Sequence, residues 1–372
     1  MIRNKFRNLL IFFVSYLWFN SFSRAILPTH FLKEGLSLRQ MALGYLFTFI
    51  SALCLLSLVR RMTARLSWRI GIAASLLYIV LIMQIRTPLQ FYLASFFGGF
   101  HLVFFWVFYN TAHFQYTPQE KTGRNSALMF SFFPVINVIA PTLAGFIAQT
   151  NIVLVWVFSA LFFLIPISLI SRQEDFVIRY TLREALDAIK STRVFIILQG
   201  VWEAVIIAII PIHTLYFIKT PLYYGAFIAY LALVSIVANI ILGKHTDKIQ
   251  KRVVFLYPIT ILLACTTFVF PFVTRDIIPW ILAAGMIQFL IPSFWNITTA
   301  MVVDTRPNLH LAIPGREFSL ALGRVVGLFL TFISFSVEKT PYYIFLLLGS
   351  VMLLYPLRLY WITRIKKTYS YL

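Results

Sequence analysis

Leu27-Pro28-Thr29-His30 closes the first apolar run of the chain, and 183 positions later Pro211-Ile212-His213 closes the seventh. At the same spacing the basic pair Arg65 and Arg69 returns as Lys248 and Arg252, and Pro88 returns as Pro271. Further on the spacing stretches. Phe105-Trp106 meets Phe294-Trp295 at 189 and Gly123-Arg124 meets Gly315-Arg316 at 192, as insertions of six and then three residues would produce. A duplicated half in an apolar chain is the sequence mark of a secondary transporter.

Sixty per cent of the 372 residues are hydrophobic and 12% are charged, more apolar than a soluble core requires. A span needs roughly 20 apolar residues to cross a hydrocarbon layer of about 30 Å. Twelve such runs are expected, at 8–31, 38–59, 69–86, 89–114, 124–149, 151–171, 194–218, 222–243, 253–273, 277–303, 315–337 and 341–362. The expected fold is an all-α polytopic membrane protein of two pseudo-symmetric six-helix bundles. Its units are residues 1–171, a linker 172–193 and residues 194–372.

A net charge of +20 on a soluble chain would suggest nucleic acid, but here its placement decides otherwise. Of 32 Lys and Arg, only Lys33, Arg39, Arg86, Lys219, Arg275 and Lys339 fall in one set of connections, and Arg24, Arg324 and Arg358 lie within spans. The remaining 23 gather at the termini and in the other connections, which predicts both termini on the cytoplasmic side of a cell membrane. That face should attract anionic lipid. The first run is long enough to span and reads as a helix, not a cleaved signal. Cys54 and Cys265 lie inside spans and are expected to be inert core residues. Within the linker, Leu182, Leu186 and Ile189 recur at helical spacing behind a Thr181–Glu184 capping box, which predicts a short amphipathic helix along the cytoplasmic interface.

The connection Gly243-Lys-His-Thr-Asp247-Lys248-Ile-Gln250-Lys251-Arg252 resembles the signature loop of the Major Facilitator Superfamily, with Gln250 where that loop has its second Gly. The counterpart Arg60 to Arg69 keeps Arg65 and Arg69 but has Ala64 in place of the Asp. Leu27 through Ser37, and Pro141 to Gly145, are also similar to the family. The resemblance implies alternating access by two rocking halves. Asp247 at a helix end is suited to complement the start of the fifth helix near Arg124, as a latch with Gly243, Lys248 and Arg252. Because Ala64 cannot do this in the other half, Glu317 is expected to pair with Arg65 or Arg69. The plainer reading, that these basic residues only set topology, stands beside it.

Intramembrane polar groups avoid lipid, so the polar first, fourth, seventh and tenth spans should line a central path. Glu203 is the one acidic residue deep in a span, and its repeat partner is Asn20. A lone buried carboxylate is a candidate proton site or a hydrogen-bonded structural group. Arg24 and Arg324 need a carboxylate, carbonyls, water or an anionic ligand, and Glu203 can pair with one of them. Gln199 and His213 share a face with Glu203; on other spans, His101, Trp106, Asn110, Gln288, Trp295 and Asn296 complete the candidate cavity. Trp is more often packing or anchoring than a ligand platform, and His213 is more often structural. No spacing supports a metal site, and no Gly-rich phosphate loop supports ATP use or another cofactor.

The expected function is secondary transport of a small organic solute, with an anion and a coupled proton as open alternatives, by a monomer that is not an enzyme. A membrane enzyme on lipid-linked substrates would need paired carboxylates or a nucleophile and base, and none is seen. A non-transporting or lipid-scrambling protein of the same fold is the remaining alternative.

Overall fold

The computed structural model describes residues 2–117, 122–246, 252–303, 308–337 and 342–365. With lipid unable to hydrogen-bond a backbone, this sequence satisfies its peptide groups within helices. Among the described residues, twelve are long and apolar enough to cross a membrane. They are Asn4–Lys33, Leu38–Leu58, Ala64–Met83, Pro88–Tyr116, Phe132–Thr150, Ile152–Arg172, Arg193–Tyr216, Pro221–Ile241, Leu256–Val273, Ile277–Val303, Leu309–Val337 and Tyr342–Thr363. They are numbered here as the first to twelfth spans, and they form two six-helix bundles. One end of the molecule carries Asn4 and the linker after the sixth span and is called the linker end; Lys33 lies at the opposite, far end.

Burial follows the polar pattern. The seventh span is 72% buried over its most apolar stretch, the fourth 61%, and the first and tenth 56%, against 22% for the sixth. The sixth turns Val153, Val157, Leu161, Leu164 and Ile165 outward, as a lipid-facing helix must. Cys54 and Cys265 are also exposed on the outer surface, which corrects their expected place in the core. A helix that is apolar on every face shows no periodic signal that tells its lipid face from its packed face.

Turns at the far end are written in local chemistry. The first span ends in a Schellman arrangement: Leu36 N–H donates to Phe31 C=O at 3.0 Å and Gly35 N–H to Leu32 C=O at 3.1 Å. Gly35 takes φ of +80°, which glycine adopts without a Cβ penalty. Ser37 with Gln40, and Thr87 with Gln90, then form capping boxes that start the second and fourth spans.

The repeat is real but its third marker is not. Pro88 opens the fourth span, whereas Pro271 lies inside the ninth, near its end. The fourth and tenth spans begin at Pro88 and Ile277, 189 positions apart, the offset that Phe105-Trp106 and Phe294-Trp295 also show. The extra six residues therefore enter before the fourth element of the second half.

At the linker end, strands β1 (Arg61–Thr63) and β2 (Val177–Arg179) pair antiparallel, with Met62 opposite Ile178. Asp175 Oδ1 accepts from Arg65 N–H at 3.0 Å, and Phe176 C=O from Ala64 N–H at 2.8 Å. This capping starts the third span at Ala64, five residues before its expected limit. The linker helix Leu182–Ala188 has the predicted capping box, and one side of it packs on protein. Ala185 and Ile189 are fully buried, and a Cβ on Gly315 of the eleventh span would fall 2.2 Å from Ala185 C=O. A glycine here lets the linker helix dock on protein.

Candidate functional site

Breaks in the spans position the polar groups. The first span is interrupted after Arg24, before a new turn begins at Leu27. The fourth is broken at Gly99 and again at Phe105, on either side of the short turn bearing His101. The seventh stops its α-geometry at Trp202, just before Glu203, and continues as a π-turn over Val205–Ile209. Such irregularities free backbone groups and re-aim side chains, and in membranes they are tolerated where protein surrounds them.

In the second half, four side chains converge. Glu203 is fully buried; its Oε2 accepts from Arg324 Nη2 at 2.5 Å and Nε at 2.7 Å. Its Oε1 accepts from Trp295 Nε1 at 2.8 Å and Gln199 Nε2 at 2.9 Å. Every donor is aimed at the ionised form, so the carboxylate is fully satisfied as an anion. The approach depends on glycine: a Cβ on Gly200 would fall 2.4 Å from Leu320 C=O, and one on Gly323 2.3 Å from Ile197 C=O. Small residues bring the seventh and eleventh backbones together, and Arg324 reaches across. Its guanidinium also stands 5.1 Å from the ring centroid of Phe49, in the second span of the other half.

The first half holds a cation without such an answer. Arg24 Nη2 lies 3.2 Å from His101 Nδ1, and its guanidinium 4.7 Å from the Tyr78 ring centroid. His101 Nδ1 is also in close contact with Gly98 C=O. One ring nitrogen cannot donate to that carbonyl and accept from Arg24 at once. Arg24 Nε is buried without a partner, as are Tyr16 OH and Asn20 Oδ1 nearby on the same helix. Among the described residues no carboxylate pairs with Arg24.

The remaining candidates are dispersed. Trp106 packs among Phe13, Tyr16 and Tyr109 in an aromatic cluster. Asn110 Nδ2 donates to Glu317 Oε1 at 3.4 Å, joining the fourth and eleventh spans. Gln288 Nε2 donates to Ser235 Oγ at 2.6 Å, tying the tenth span to the eighth, away from Glu203. His213 Nε2 is 3.3 Å from Thr274 C=O, and His30 Nε2 is 3.3 Å from Ile82 C=O. Each half thus uses its repeated His to hold the far end of its third helix. Asn296 Oδ1 is buried without a partner.

Glu317 does not pair with Arg65 or Arg69. It takes Arg316 Nη1 at 2.5 Å, while Arg65 donates to Gln173 C=O at 2.9 Å from Nε and 2.7 Å from Nη2, and Arg69 is exposed. The β1–β2 pairing, invisible in the sequence pattern, holds Arg65 against the linker. Asp247 and Lys248 lie outside the described residues, as do the side chains of Arg124 and Arg252 and the surroundings of Gly243. Sequence reasoning passed over Tyr78, one ring among many, and Arg316, although the Gly315-Arg316 repeat marked it.

Comparison with known proteins adds three findings. A bacterial homologue of the iron transporter ferroportin, in an outward-facing state, is similar with a TM-score of 0.70 and 13% identity over 96% of this chain and 99% of that one. The nucleoside transporter NupG is similar at TM-score 0.64 and 12% identity, over 95% and 98%. The human organic anion transporter MFSD10 (TETRAN) is similar at 0.62 and 11%, over 96% and 99%. At these identities the likeness shows the fold. No curated protein sequence matches the chain. The sequence profile of the Major Facilitator Superfamily matches residues 9–308, and the chain, with its twelve spans in two bundles, belongs to that family of secondary transporters.

Proposed function

We propose that this transporter carries a small organic anion, and that Arg24 is its principal anchor. The supporting observation is the contrast between two buried arginines. Arg324 has Glu203 as a counter-ion, whereas Arg24 has one ambiguous imidazole and a ring face. A guanidinium in hydrocarbon requires an acceptor, and a carboxylate or phosphate offers the bidentate geometry it fits. Asn20, one turn before it on the same helix, adds a polar group.

In this reading Glu203 is a fixed counter-ion, not a freely exchanging proton site. Each of its oxygens already accepts two donors, which hold it against Arg324. The linker end is assigned to the cytoplasm from the excess of Lys and Arg there. Alternating access then requires the Asn110–Glu317 contact at that end to part.

The test is ligand-induced thermal stabilisation of the purified protein across anionic, zwitterionic and neutral solutes, for wild type and Arg24→Gln. Stabilisation of wild type by anions, absent in the variant, is the expected result. Stabilisation only by neutral solutes, or equally in both proteins, would overturn the assignment.

A further inference from the structure

The far end holds a second basic feature that the central arrangement does not use. A cavity of about 250 Å³ opens between the halves, lined by Thr29, His30, Leu32, Lys33, Ala148, Ile152, Lys219 and Pro221. Six of these belong to the first half; Lys219 and Pro221 belong to the second. The volume exceeds the roughly 150 Å³ that accommodates a benzene ring, so a small organic ion fits. Both lysines are exposed, and among the described residues neither has an ion-pair partner. The floor is polar: His30 is 6% exposed, with a buried Nδ1 that has no hydrogen-bond partner. Glu34, one turn on, has its Oε1 3.8 Å from that nitrogen but is not part of the lining.

We propose that this cavity is an anion-binding vestibule, which takes a carboxylate or phosphate group between Lys33 of one half and Lys219 of the other. Two cations lining one recess attract an anion and repel each other without it. The walls move with different halves, so an occupant bridges them where the path opens. That the occupant is also the cargo rests on the reading of Arg24; the site itself does not. The same chemistry is carried by a soluble organic anion and by an anionic lipid headgroup.

The experiment is lysine footprinting of the full-length wild-type protein with an amine-acylating reagent, read residue by residue by mass spectrometry. In phosphatidylcholine nanodiscs, succinate or inorganic phosphate at saturation is expected to slow acylation of Lys33 and Lys219 by about tenfold, relative to chloride at equal ionic strength. Lys190, exposed in the linker, serves as the reference and should not change. Protection that arises only in phosphatidylglycerol nanodiscs sustains the site with a headgroup as its occupant. Unchanged acylation of both lysines under every condition overturns the proposal. Protection that persists in Arg24→Gln, in a protein that has lost anion stabilisation, keeps the vestibule separate from the central anchor. Central anion binding without protection removes the vestibule alone.

Discussion

Glu203 and Arg324 are each deep in a span, and removing one leaves the other without its partner. Losing half of a buried ion pair costs about 3–5 kcal/mol, while losing both halves is often far milder. Glu203→Gln should therefore lower unfolding stability in detergent by about 3 kcal/mol, near the bottom of that range because Arg324 keeps some exposure. Glu203→Gln with Arg324→Gln should regain part of the loss; a double variant as damaged as the sum of both singles would show that the pair is not coupled. Glu203 stood out in the sequence because a carboxylate in hydrocarbon demands a partner. Which arginine supplied it did not, since Gly200 and Gly323 decide the helix approach and glycine spacing alone names no neighbour. Tyr78 and the Gly98 carbonyl, which define the position of Arg24, have no sequence signal in a chain with 38 Phe and 18 Tyr.

At the scale of elements, close backbone contacts carry the architecture. A Cβ on Gly323 meets the backbone oxygen of Ile197, which cannot swing aside as a side chain would. Gly323→Ala should force the seventh and eleventh spans apart and weaken the Glu203–Arg324 contact, seen as a fall in thermal stability; an unchanged melting temperature would contradict it. The fifth and eighth spans cross in the same manner, with Gly145 against Pro221 C=O and Gly225 against Pro141 C=O. Helix number and the linker-helix cap were legible because hydrophobic length and a Thr followed three residues later by Glu are local signals. Strands of three residues leave no such trace, so β1 and β2 were not, and neither was the docking of the linker helix on Gly315, a partner that lies far along the chain. Beside that sheet, Glu174 accepts from Lys5 Nζ at 2.7 Å and from Tyr116 OH at 2.8 Å. These donors hold its carboxyl below the ordinary 4.5. A depressed folded value means the contact contributes fully above that ordinary value and fades as pH falls through the lower one. Protection of backbone amides in the first turns of the chain, corrected for the pH dependence of intrinsic exchange, should fall on acidification below about pH 4.5; a Glu174→Gln variant should lack this response, and an identical response in both would refute it.

For the whole molecule, the linker joins both halves: β2 pairs with a strand of the first, and the linker helix docks on the eleventh span of the second. The linker end is closed by Asn110 on Glu317 and by Gln115 Nε2 at 2.5 Å from His310 Nε2. Rocking of the halves must separate these contacts. A disulfide between cysteines placed at 115 and 310 should stop transport, and reductant should restore it; undiminished flux with the bond formed would show that this end does not need to open.

The central proposal is that Arg24 anchors an anionic cargo. Flux into proteoliposomes, measured for a panel of organic anions and their uncharged amides in wild type and Arg24→Gln, tests that most directly. The expected result is anion flux in wild type that falls about 10- to 100-fold in the variant, as the loss of a charge-assisted contact of about 1.5–3 kcal/mol implies. Equal anion flux in both proteins, or transport of the amides alone, would contradict it.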